Sequence, residues 1–436
     1  MTSSTGSDNS AKDKLKVHSS ITHAGNLIEH ISVSSAAQLS ELITRCSREG
    51  RRVVPGRPVK LPRQPADRFD YFLTLDGADA VIEHCRPDQV ITIEAGVSIS
   101  TLQKLLAAYK QWFPVYVPDE DSSLMEYINT GSSGPLEHGY GEARDLVLGM
   151  DCVLGRGELI KCGGKVVKNV TGYDLPKLFC GASGTLCIPF SAHLRLFALP
   201  ETSSTIVLRF ANLEDAFKTA RALRRSGLPL SCLEAFDAEV FAGRKLPFGS
   251  IAVGYNPSDT LLCVQIHGIK SVVAELEKEV LDIAAQLRTL KEGLKESQVL
   301  DATMEAELWK FLSRPYQFLE SDWLEICGPM AALEKVLAEL KAQNPSLFMW
   351  TARPGRNKAV LMHKSSGDTE PSVSKLLAGI AVSTQASEKF SVAYSDSGYL
   401  WNWRSIPAED AVLSELKHRV KHEYDPQRVL NPLVSL

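Results

Sequence analysis

One stretch, from Cys162 to Leu196, limits the possible folds of this chain more than any other: CGGKVVKNVTGYDLPKLFCGASGTLCIPFSAHLRL. Its glycines allow positive φ angles or a close approach of a ligand to the backbone. Asp174 predicts a helix N-cap, and the helix is expected to run from Leu175 to Cys180. A second glycine turn then leads into an apolar strand that ends at Leu196. The stretch therefore predicts a turn, a helix, another turn and a strand in succession.

The backbone N–H groups of these glycine turns have two alternative uses. They can bind phosphate or carbonyl oxygens of a ligand, or the turns can simply connect a helix to a strand, which is commoner for an isolated example. Cys180 and Cys187 flank the second turn, but no base lies at a useful spacing from either thiol. Neither cysteine is therefore predicted to be a nucleophile.

The same stretch resembles the FAD-binding domain of the vanillyl-alcohol oxidase / p-cresol methylhydroxylase (PCMH) superfamily, in which a K-N-x-x-G-Y-D-L-x-K-L run precedes G-T-L. The run consists here of Lys168, Asn169, Gly172, Tyr173, Asp174, Leu175, Lys177 and Leu178, followed by Gly184, Thr185 and Leu186. The resemblance extends to residues 91–106, 139–164 and 424–432. Within the superfamily, the chain most resembles the E-type subunits of glycolate oxidases.

The resemblance implies an α+β fold: a PCMH-type FAD-binding domain of two small sheets with helices, followed by an α+β cap domain with an antiparallel sheet. It also implies FAD as the cofactor, and the residues themselves predict no metal site. The residues that it assigns to FAD binding are Pro55, Gly56, Ser133, Gly134, Gly141, Asp145, Gly172, Tyr173, Asp174, Lys177, Gly184, Thr185 and Leu186.

The loop after the first strand departs from the superfamily's pattern. The usual Gly-Gly-Gly-Thr/Ser diphosphate cradle is replaced by PGRPV at residues 55–59. Pro58 has no N–H to donate, and the β-branched Val59 resists positive φ, so this loop cannot form the same backbone nest. The charge of Arg57 could compensate for the lost donors.

Two further loops also depart from the pattern. Met125 and Glu126 replace two glycines of the second cradle, and Pro189 removes a backbone donor after Gly184. A glutamate close to a diphosphate is repulsive unless it turns outward. We therefore hypothesise that the affinity for FAD is weakened or lost.

Composition excludes several other classes of protein. The net charge is −4, so the chain lacks the basic surface that binds nucleic acid. No apolar run approaches the roughly 20 residues that cross a bilayer, and the N-terminus lacks the apolar core of a secretion signal. The nine cysteines include no C-x-x-C pair and predict reduced thiols rather than an iron–sulfur site. These features predict a cytoplasmic protein.

The hydrophobic pattern divides the chain into four parts. Residues 1–17 predict a disordered polar tail, and residues 18–200 the FAD-binding domain. Residues 201–404 repeat a strand followed by an amphipathic helix, which favours an antiparallel sheet with helices on one face. Residues 405–436 are expected to return to the first domain after a helix over residues 409–422. A break in the cap domain is expected at residues 365–372.

Several polar residues have open alternatives. Arg144, Lys168 and Lys177 are candidate cations for a carboxylate, or else members of structural ion pairs with Asp145 or Asp174. His138 and Tyr140 could face a flavin, but an exposed turn histidine is commoner. Tyr173 has equal prospects of contacting the cofactor or lying in the core.

Two further pairs have simpler interpretations. His418 and His422 have metal-ligand spacing, but a solvated basic helix face is favoured. Trp401 and Trp403 alternate on an expected strand and are predicted mainly to stabilise the late sheet. The sequence identifies no catalytic base.

Two functions remain open from the sequence. The first is an FAD-dependent oxidoreductase subunit that takes part in oxidising glycolate or a related small 2-hydroxy acid. The resemblance implies, as partners, the flavoprotein and iron–sulfur subunits of a glycolate oxidase-like complex. The alternative is a non-catalytic scaffold or regulatory subunit with a degenerate FAD cleft.

Overall fold

The computed structural model of the chain describes residues 16–23, 26–58, 69–116, 119, 121–131, 133–166, 172–241, 256, 258–288, 294–313, 323–343, 348–363, 390–395, 402–406 and 411–432. Most of the predicted tail, Lys168 and Trp401 lie outside these ranges, and so does the expected break at residues 365–372. Lys16 and Val17 belong to the first strand, so these two residues are not part of a tail.

The first domain opens with a four-stranded sheet in the order β1-β2-β4-β3. Its strands are β1 (Lys16–His23), β2 (Asn26–Ser32), β3 (Val53–Pro55) and β4 (Tyr71–Thr74). β1 and β2 pair antiparallel, whereas β2 and β3 flank β4 in parallel. All residues of β4 are buried, as expected for a central strand that is covered on both faces.

A second sheet is antiparallel throughout, in the order β5-β6-β10-β8-β9. Its strands are β5 (Val81–Cys85), β6 (Val90–Glu94), β8 (Val147–Leu154), β9 (Leu159–Gly163) and β10 (Cys187–Arg195), and a separate two-stranded sheet joins β7 (Gln111–Trp112) to β11 (Phe197–Ala198). Pro189 lies in β10, where the register against β8 shifts between Pro189 and Ser191. Proline has no N–H to donate to the hydrogen bonds between strands, and this accounts for the position of the irregularity.

The helices of the first domain are α1 (Ala36–Glu49), α2 (Ile99–Ala107), α3 (Leu124–Thr130), α4 (Glu137–Tyr140), α5 (Ala143–Leu146) and α6 (Leu175–Phe179). Ser35 caps α1 by accepting a hydrogen bond from Gln38 N, and Ser98 caps α2 in the same way. Apolar residues of α1, α2 and α3 enter one core with both larger sheets. This core holds the two sheets of the domain together.

The second domain is built on a nine-stranded antiparallel sheet in the order β15-β12-β14-β13-β17-β18-β16-β19-β20. Its strands are β12 (Thr202–Phe210), β13 (Cys232–Asp237), β14 (Thr260–Gly268), β15 (Leu294–Val299), β16 (Trp323–Cys327), β17 (Phe348–Arg353), β18 (Lys358–His363), β19 (Phe390–Ser395) and β20 (Asn402–Ile406). The predicted fold class, an α+β flavin-type domain followed by a domain with an antiparallel sheet, is confirmed. Trp403 lies in β20, as expected.

Helices cover both faces of this sheet, so the expectation of one covered face was incomplete. α7 (Leu213–Arg225), α8 (Lys270–Arg288) and α10 (Met330–Gln343) pack on one face. α9 (Ala302–Leu312) packs on the other, where Leu308, Trp309 and Leu312 contact Val207 and Cys263 in a second core. Alternate residues of β12 and β14 supply the two cores, because successive side chains of a strand point to opposite faces.

The C-terminal residues pack against the first domain. After α11 (Ala411–Tyr424), Val429 and Leu430 are buried in the core of the first domain. Leu430 forms a parallel bridge with Val53 of β3. The buried Asp425 carboxylate accepts hydrogen bonds from the N–H groups of Val429 and Leu430, both at 2.9 Å, and so fixes this turn.

Candidate functional site

The loop after β3 and the turn at Gly184 are in contact. Gly184 has φ of +67°, and a Cβ atom there would lie 2.4 Å from Pro55 Cγ. The N–H of Ser183 donates to Asn129 O of α3 at 2.7 Å. Thr185 is fully buried, and Leu186 enters the core. Pro55, Gly184 and Thr185 therefore lie together, and their role in FAD binding stays a prediction.

The Glu126 carboxylate lies against this loop. Its Oε1 accepts hydrogen bonds from Arg57 N at 3.0 Å and Arg57 Nε at 3.3 Å, and a Cβ atom on Gly56 would be 3.4 Å from the same oxygen. Its Oε2 accepts from Ser123 N at 2.8 Å. Burial alone would lower the pKa of Arg57, but the carboxylates of Glu126 and Asp119 raise it. Glu126 does not turn outward, and Arg57 is already paired.

The predicted residues Ser133, Gly134, Gly141 and Asp145 lie around α4 and α5. The Ser133 hydroxyl is 2.8 Å from the Tyr127 hydroxyl, and a Cβ atom on Gly134 would lie 2.2 Å from Tyr116 O. Asp145 accepts a hydrogen bond from Glu142 N at 3.0 Å and packs against Gly141. These polar groups form the local structure between α3 and β8.

The residues assigned to FAD binding around α6 are exposed to solvent. Tyr173 is 93% exposed, so it is not a core residue. Asp174 occupies the N-cap position of α6 but makes no capping hydrogen bond, because its carboxylate pairs with Lys177 at 3.0 Å. A Cβ atom on Gly172 would meet no atom within 4 Å. The role of this group in FAD binding stays a prediction.

A cluster of buried charges joins α4 to the cap sheet. Oε2 of Glu137 lies 3.0 Å from Lys358 Nζ and 3.6 Å from Arg353 Nη1, and Arg353 Nε lies 3.1 Å from Glu234 Oε1. Burial alone would raise the pKa of Glu137, but the two cations lower it. Burial and the charge of Glu137 raise the pKa of Glu234 to about 8. Glu137 is therefore the charged carboxylate of the cluster at neutral pH.

His138 packs against the cap domain instead of lying exposed in a turn. A Cβ atom on Gly355 would lie 1.9 Å from His138 Nδ1, so only glycine fits at position 355. Burial, together with the charges of Arg356 and Arg224, lowers the pKa of His138 to about 4. The ring is therefore neutral at physiological pH.

A cavity of about 620 Å³ lies where the first domain meets the cap. The first domain contributes side chains from α2, β7 and the segment after it, and the cap contributes side chains from β14 and α9. The principal lining residues are Gln103, Lys104, Trp112, Tyr116, Gln265, His267, Glu305, Trp309 and Lys310. Its size is that of a small-molecule site.

Hydrogen bonds connect the polar residues that line the cavity. His267 Nδ1 lies 3.0 Å from the Tyr140 hydroxyl, and Gln265 Nε2 donates to Glu305 Oε1 at 2.7 Å. Burial lowers the pKa of His267 to about 4. The rings of Tyr116 and Trp309 are parallel, with centroids 6.2 Å apart. The cavity therefore combines aromatic walls, a neutral imidazole and, in Lys104 and Lys310, two ammonium groups.

The alternation of residues along β14 is a sequence signal for His267. On β14, Leu261 and Cys263 belong to the core beneath α9, and Gln265 and His267 follow at the same period of two. An apolar strand face that becomes polar at one end indicates a site at that end. Glu305 and Trp309 gave no such signal, because α9 approaches β14 only through the tertiary fold.

The remaining sequence candidates do not form a site among the described residues. Arg144 pairs with Glu142 at 2.8 Å rather than with Asp145. His418 and His422 are exposed on α11, and within the described ranges no group of three or more His, Cys, Asp or Glu side chains could hold a metal ion. Burial raises the pKa of the Cys180 thiol, which disfavours a nucleophile there.

Comparison with known proteins identifies both domains. Residues 30–163 match the family model of an FAD binding domain, and residues 199–344 match that of the C-terminal domain of FAD linked oxidases. The run from Gly172 to Leu186 lies between the two matches. No helix in the described part of the chain is both long enough and apolar enough to cross a lipid bilayer.

Individual relatives agree with these matches. A probable mitochondrial D-lactate dehydrogenase of Danio rerio is 27% identical over 61% of this chain, and the glycolate oxidase subunit GlcD of Bacillus subtilis is 28% identical over 57%. The aligned part spans about half of each relative, 53% in both cases. A solved alkyldihydroxyacetonephosphate synthase has a TM-score of 0.69 at 17% identity and covers 93% of this chain and 77% of its own, a likeness of fold.

The donors around Glu126 fit the anionic part of FAD. Two backbone N–H groups and a guanidinium group converge on one carboxylate, and such donors also bind phosphate oxygens. The carboxylate of Glu126 is the anion that these donors bind in this structure. The donor chemistry therefore suits a diphosphate, although the donors are already in use.

Proposed function

This chain carries the FAD-binding domain and the C-terminal domain of FAD-linked oxidases, and from that premise we propose that it is an oxidoreductase subunit acting on a small 2-hydroxy acid. Relatives named D-lactate dehydrogenase and glycolate oxidase subunit support this substrate class. The observation that carries the proposal is the cavity between the domains, which combines a neutral imidazole with two lysines.

The two lysines suit the carboxylate of a 2-hydroxy acid. Lys104 lines the cavity from the first domain and Lys310 from α9 of the cap. An ammonium group at either side stabilises a carboxylate in a partly buried site. Trp309 and Tyr116 exclude water from one wall and orient a small ligand.

His267 is the candidate proton acceptor. Oxidation of a 2-hydroxy acid to a 2-oxo acid removes a hydroxyl proton and a hydride, and FAD supplies the hydride acceptor when it is bound. The His267 tautomer that donates from Nδ1 to the Tyr140 oxygen leaves Nε2 to accept that proton. Because the pKa of His267 is lowered to about 4, the ring is unprotonated at neutral pH.

The residues proposed to hold FAD are those of the Gly56–Arg57 loop and the neighbouring Gly184 turn. The backbone N–H of Arg57 and its guanidinium group would bind the diphosphate. Ser133, Gly134, Gly141 and Asp145 remain proposed contacts. The exposed Gly172, Tyr173, Asp174 and Lys177 require a cofactor that extends to the surface around α6.

The proposed assembly is a hetero-oligomer in which other subunits relay electrons. Among the described residues, no cluster of three metal-ligating side chains is available for an iron–sulfur group. GlcD is by its name one subunit of a glycolate oxidase, which supports a partner of that kind.

The experiment that tests the proposal measures the oxidation of glycolate and of D- and L-lactate by the FAD-treated chain with an artificial electron acceptor. His267→Gln is expected to lower kcat at least 100-fold, the usual contribution of a general base. His418→Gln is the matched control, because His418 is exposed on α11. A kcat unchanged in His267→Gln would contradict the role of His267, and no oxidation of any of these acids would contradict the substrate class.

A scaffold subunit is the second candidate, and the Glu126–Arg57 contact favours it. If the Glu126 carboxylate occupies the phosphate-binding donors permanently, the chain does not bind FAD and serves to position a catalytic partner subunit. In that case the partner retains its activity when His267 is replaced, whereas removal of the whole chain abolishes assembly. Activity of the reconstituted complex with the His267→Gln chain separates the two functions.

A further inference from the structure

The Glu126 carboxylate is held by two segments that are far apart in the chain. Oε1 accepts from Arg57 N and Arg57 Nε, and Oε2 accepts from Ser123 N at 2.8 Å and Ser123 Oγ at 3.2 Å. A carboxylate offers about four lone-pair sites, and all four are used here. We propose that this carboxylate is an internal competitor for the diphosphate of FAD, so that Glu126 must leave the Arg57 loop when FAD binds.

Helix capping explains only half of these contacts. Ser123 and Glu126 form a capping box at the start of α3, which needs one carboxylate oxygen and the N–H of Ser123. The other oxygen accepts hydrogen bonds from Arg57 and lies where a side chain at Gly56 would reach it, and capping requires neither feature. The contact with Arg57 is therefore a separate interaction that fills the loop after β3.

The net negative charge around Arg57 also disfavours the binding of a diphosphate while Glu126 is in place. Arg57 Nη2 lies 2.8 Å from Asp119 Oδ2, while Arg57 Nε lies 3.3 Å from Glu126 Oε1. One guanidinium group thus faces two carboxylates, and these three side chains together carry a net negative charge. An incoming diphosphate meets repulsion while Glu126 is in place, and it meets a free backbone N–H and a cation once Glu126 has moved away.

The Glu126–Arg57 pair is partly open to solvent. The side chain of Glu126 is 19% exposed and that of Arg57 is 40% exposed, and Glu126 is not among the residues of the hydrophobic core, so its rotation breaks hydrogen bonds to Arg57 and Ser123 rather than core contacts. The affinity of the chain for FAD is then the intrinsic affinity of the loop reduced by the fraction of molecules in which Glu126 occupies it. This inference rests on the FAD-binding domain alone and is independent of the substrate.

Titration of the full-length chain with FAD by isothermal calorimetry tests the inference. Glu126→Gln removes the charge and keeps the size of the side chain, and it is expected to lower the Kd for FAD at least tenfold. Glu158→Gln is the matched control, since Glu158 is 59% exposed and pairs only with Arg156 at 3.8 Å among the ion pairs of the described residues. Its Kd is expected to stay within twofold of the wild-type value.

Riboflavin provides the matched ligand, because it carries the same ring without phosphate. Glu126→Gln is expected to leave the affinity for riboflavin unchanged, and inorganic pyrophosphate is expected to displace FAD from the variant. Equal FAD affinity of the wild type and Glu126→Gln, including no measurable binding by either, would overturn the inference. An equal gain for Glu158→Gln or for riboflavin would overturn it as well.

A second variant keeps the test decisive if Glu126→Gln does not fold. Glu126→Asp can still cap α3 but is one methylene too short to reach Arg57, so its FAD affinity is expected to exceed that of the wild type. No gain in Glu126→Asp would then overturn the inference. Because binding is the readout, inactivity towards 2-hydroxy acids would contradict the proposed function and leave this result unaffected.

Discussion

The two half-buried histidines, His138 and His267, make the stability of the protein sensitive to acid. The pKa of both His138 and His267 is lowered to about 4, so between about pH 6.5 and 4 the unfolded chain binds protons that the folded chain does not. The free energy of unfolding is therefore expected to decrease as the pH is lowered from about 6.5 to about 4, by up to about 3 kcal/mol for each ring. Urea unfolding at several pH values measures the slope.

Single substitutions test whether His138 and His267 cause this pH dependence. His138→Gln and His267→Gln are each expected to flatten the pH dependence of the free energy of unfolding, since an amide does not titrate. His418→Gln, at the exposed position on α11, should leave it unchanged. Identical slopes in all three variants would mean that these two rings are not the origin of the effect.

Glu137 is the residue on which the contact between the domains depends. Its carboxylate is fully buried and faces both Lys358 and Arg353. Glu137→Gln leaves two buried cations without their shared anion, and removal of one partner of a buried pair typically costs about 3–5 kcal/mol. We expect a loss of this size in the free energy of unfolding, measured by urea titration at pH 7.

A second substitution checks the cause of that loss. Adding Lys358→Met to Glu137→Gln removes one uncompensated charge and is expected to restore part of the stability. A double variant as unstable as the sum of both single variants would contradict the pairing.

At the scale of elements, the turn between α6 and β10 requires glycine. Gly184 and Gly172 both have positive φ, +67° and +80°, but only Gly184 would place a Cβ atom against Pro55. Gly172→Ala is expected to cost about 1–2 kcal/mol from backbone strain alone. Gly184→Ala adds the clash with Pro55 and should cost clearly more, and thermal unfolding followed by circular dichroism compares the two. Equal losses would show that Pro55 yields without cost.

The sequence predicted elements well where local signals were sufficient. The helices α6 and α11 lie within two residues of the limits expected from the sequence, 175–180 and 409–422, because apolar spacing and the positions of caps and prolines are properties of neighbouring residues. Tyr173 shows the limit of this reasoning, because a glycine and a helix cap on either side do not reveal that the ring is exposed. α9 was missed as a cover of the sheet because its partners, β12 and β14, are remote in sequence.

The candidate site was only partly predictable for the same reason. The resemblance assigned Pro55, Gly184 and Thr185 to FAD binding, and Pro55 and Gly184 lie in contact, but their role in FAD binding stays a prediction. The cavity lined by His267 and Lys310 exists only after the cap has docked on the first domain. The inward turn of Glu126 likewise depends on Arg57, 69 residues away.

At the scale of the whole molecule, the last described residues stabilise the first domain. Leu430 is fully buried beside β3, whereas Leu416 on α11 is 53% exposed. Leu430→Ala is expected to cost about 2–5 kcal/mol, and Leu416→Ala less than about 0.5 kcal/mol. Chemical unfolding monitored by circular dichroism measures both variants. A small effect of Leu430→Ala would mean that the first domain is complete without its C-terminal strand partner.

The parallel bridge between Val53 and Leu430 also sets an order of events during synthesis on the ribosome. Strand β3 emerges early, yet the residues that complete its surroundings are translated only after the entire cap sheet. At usual elongation rates the nascent first domain waits roughly 10–50 s between its last strand, β10, and the arrival of Leu430. Over that interval the edge of β3 is open to chaperones, and premature termination within the cap would release a first domain with an unpaired edge.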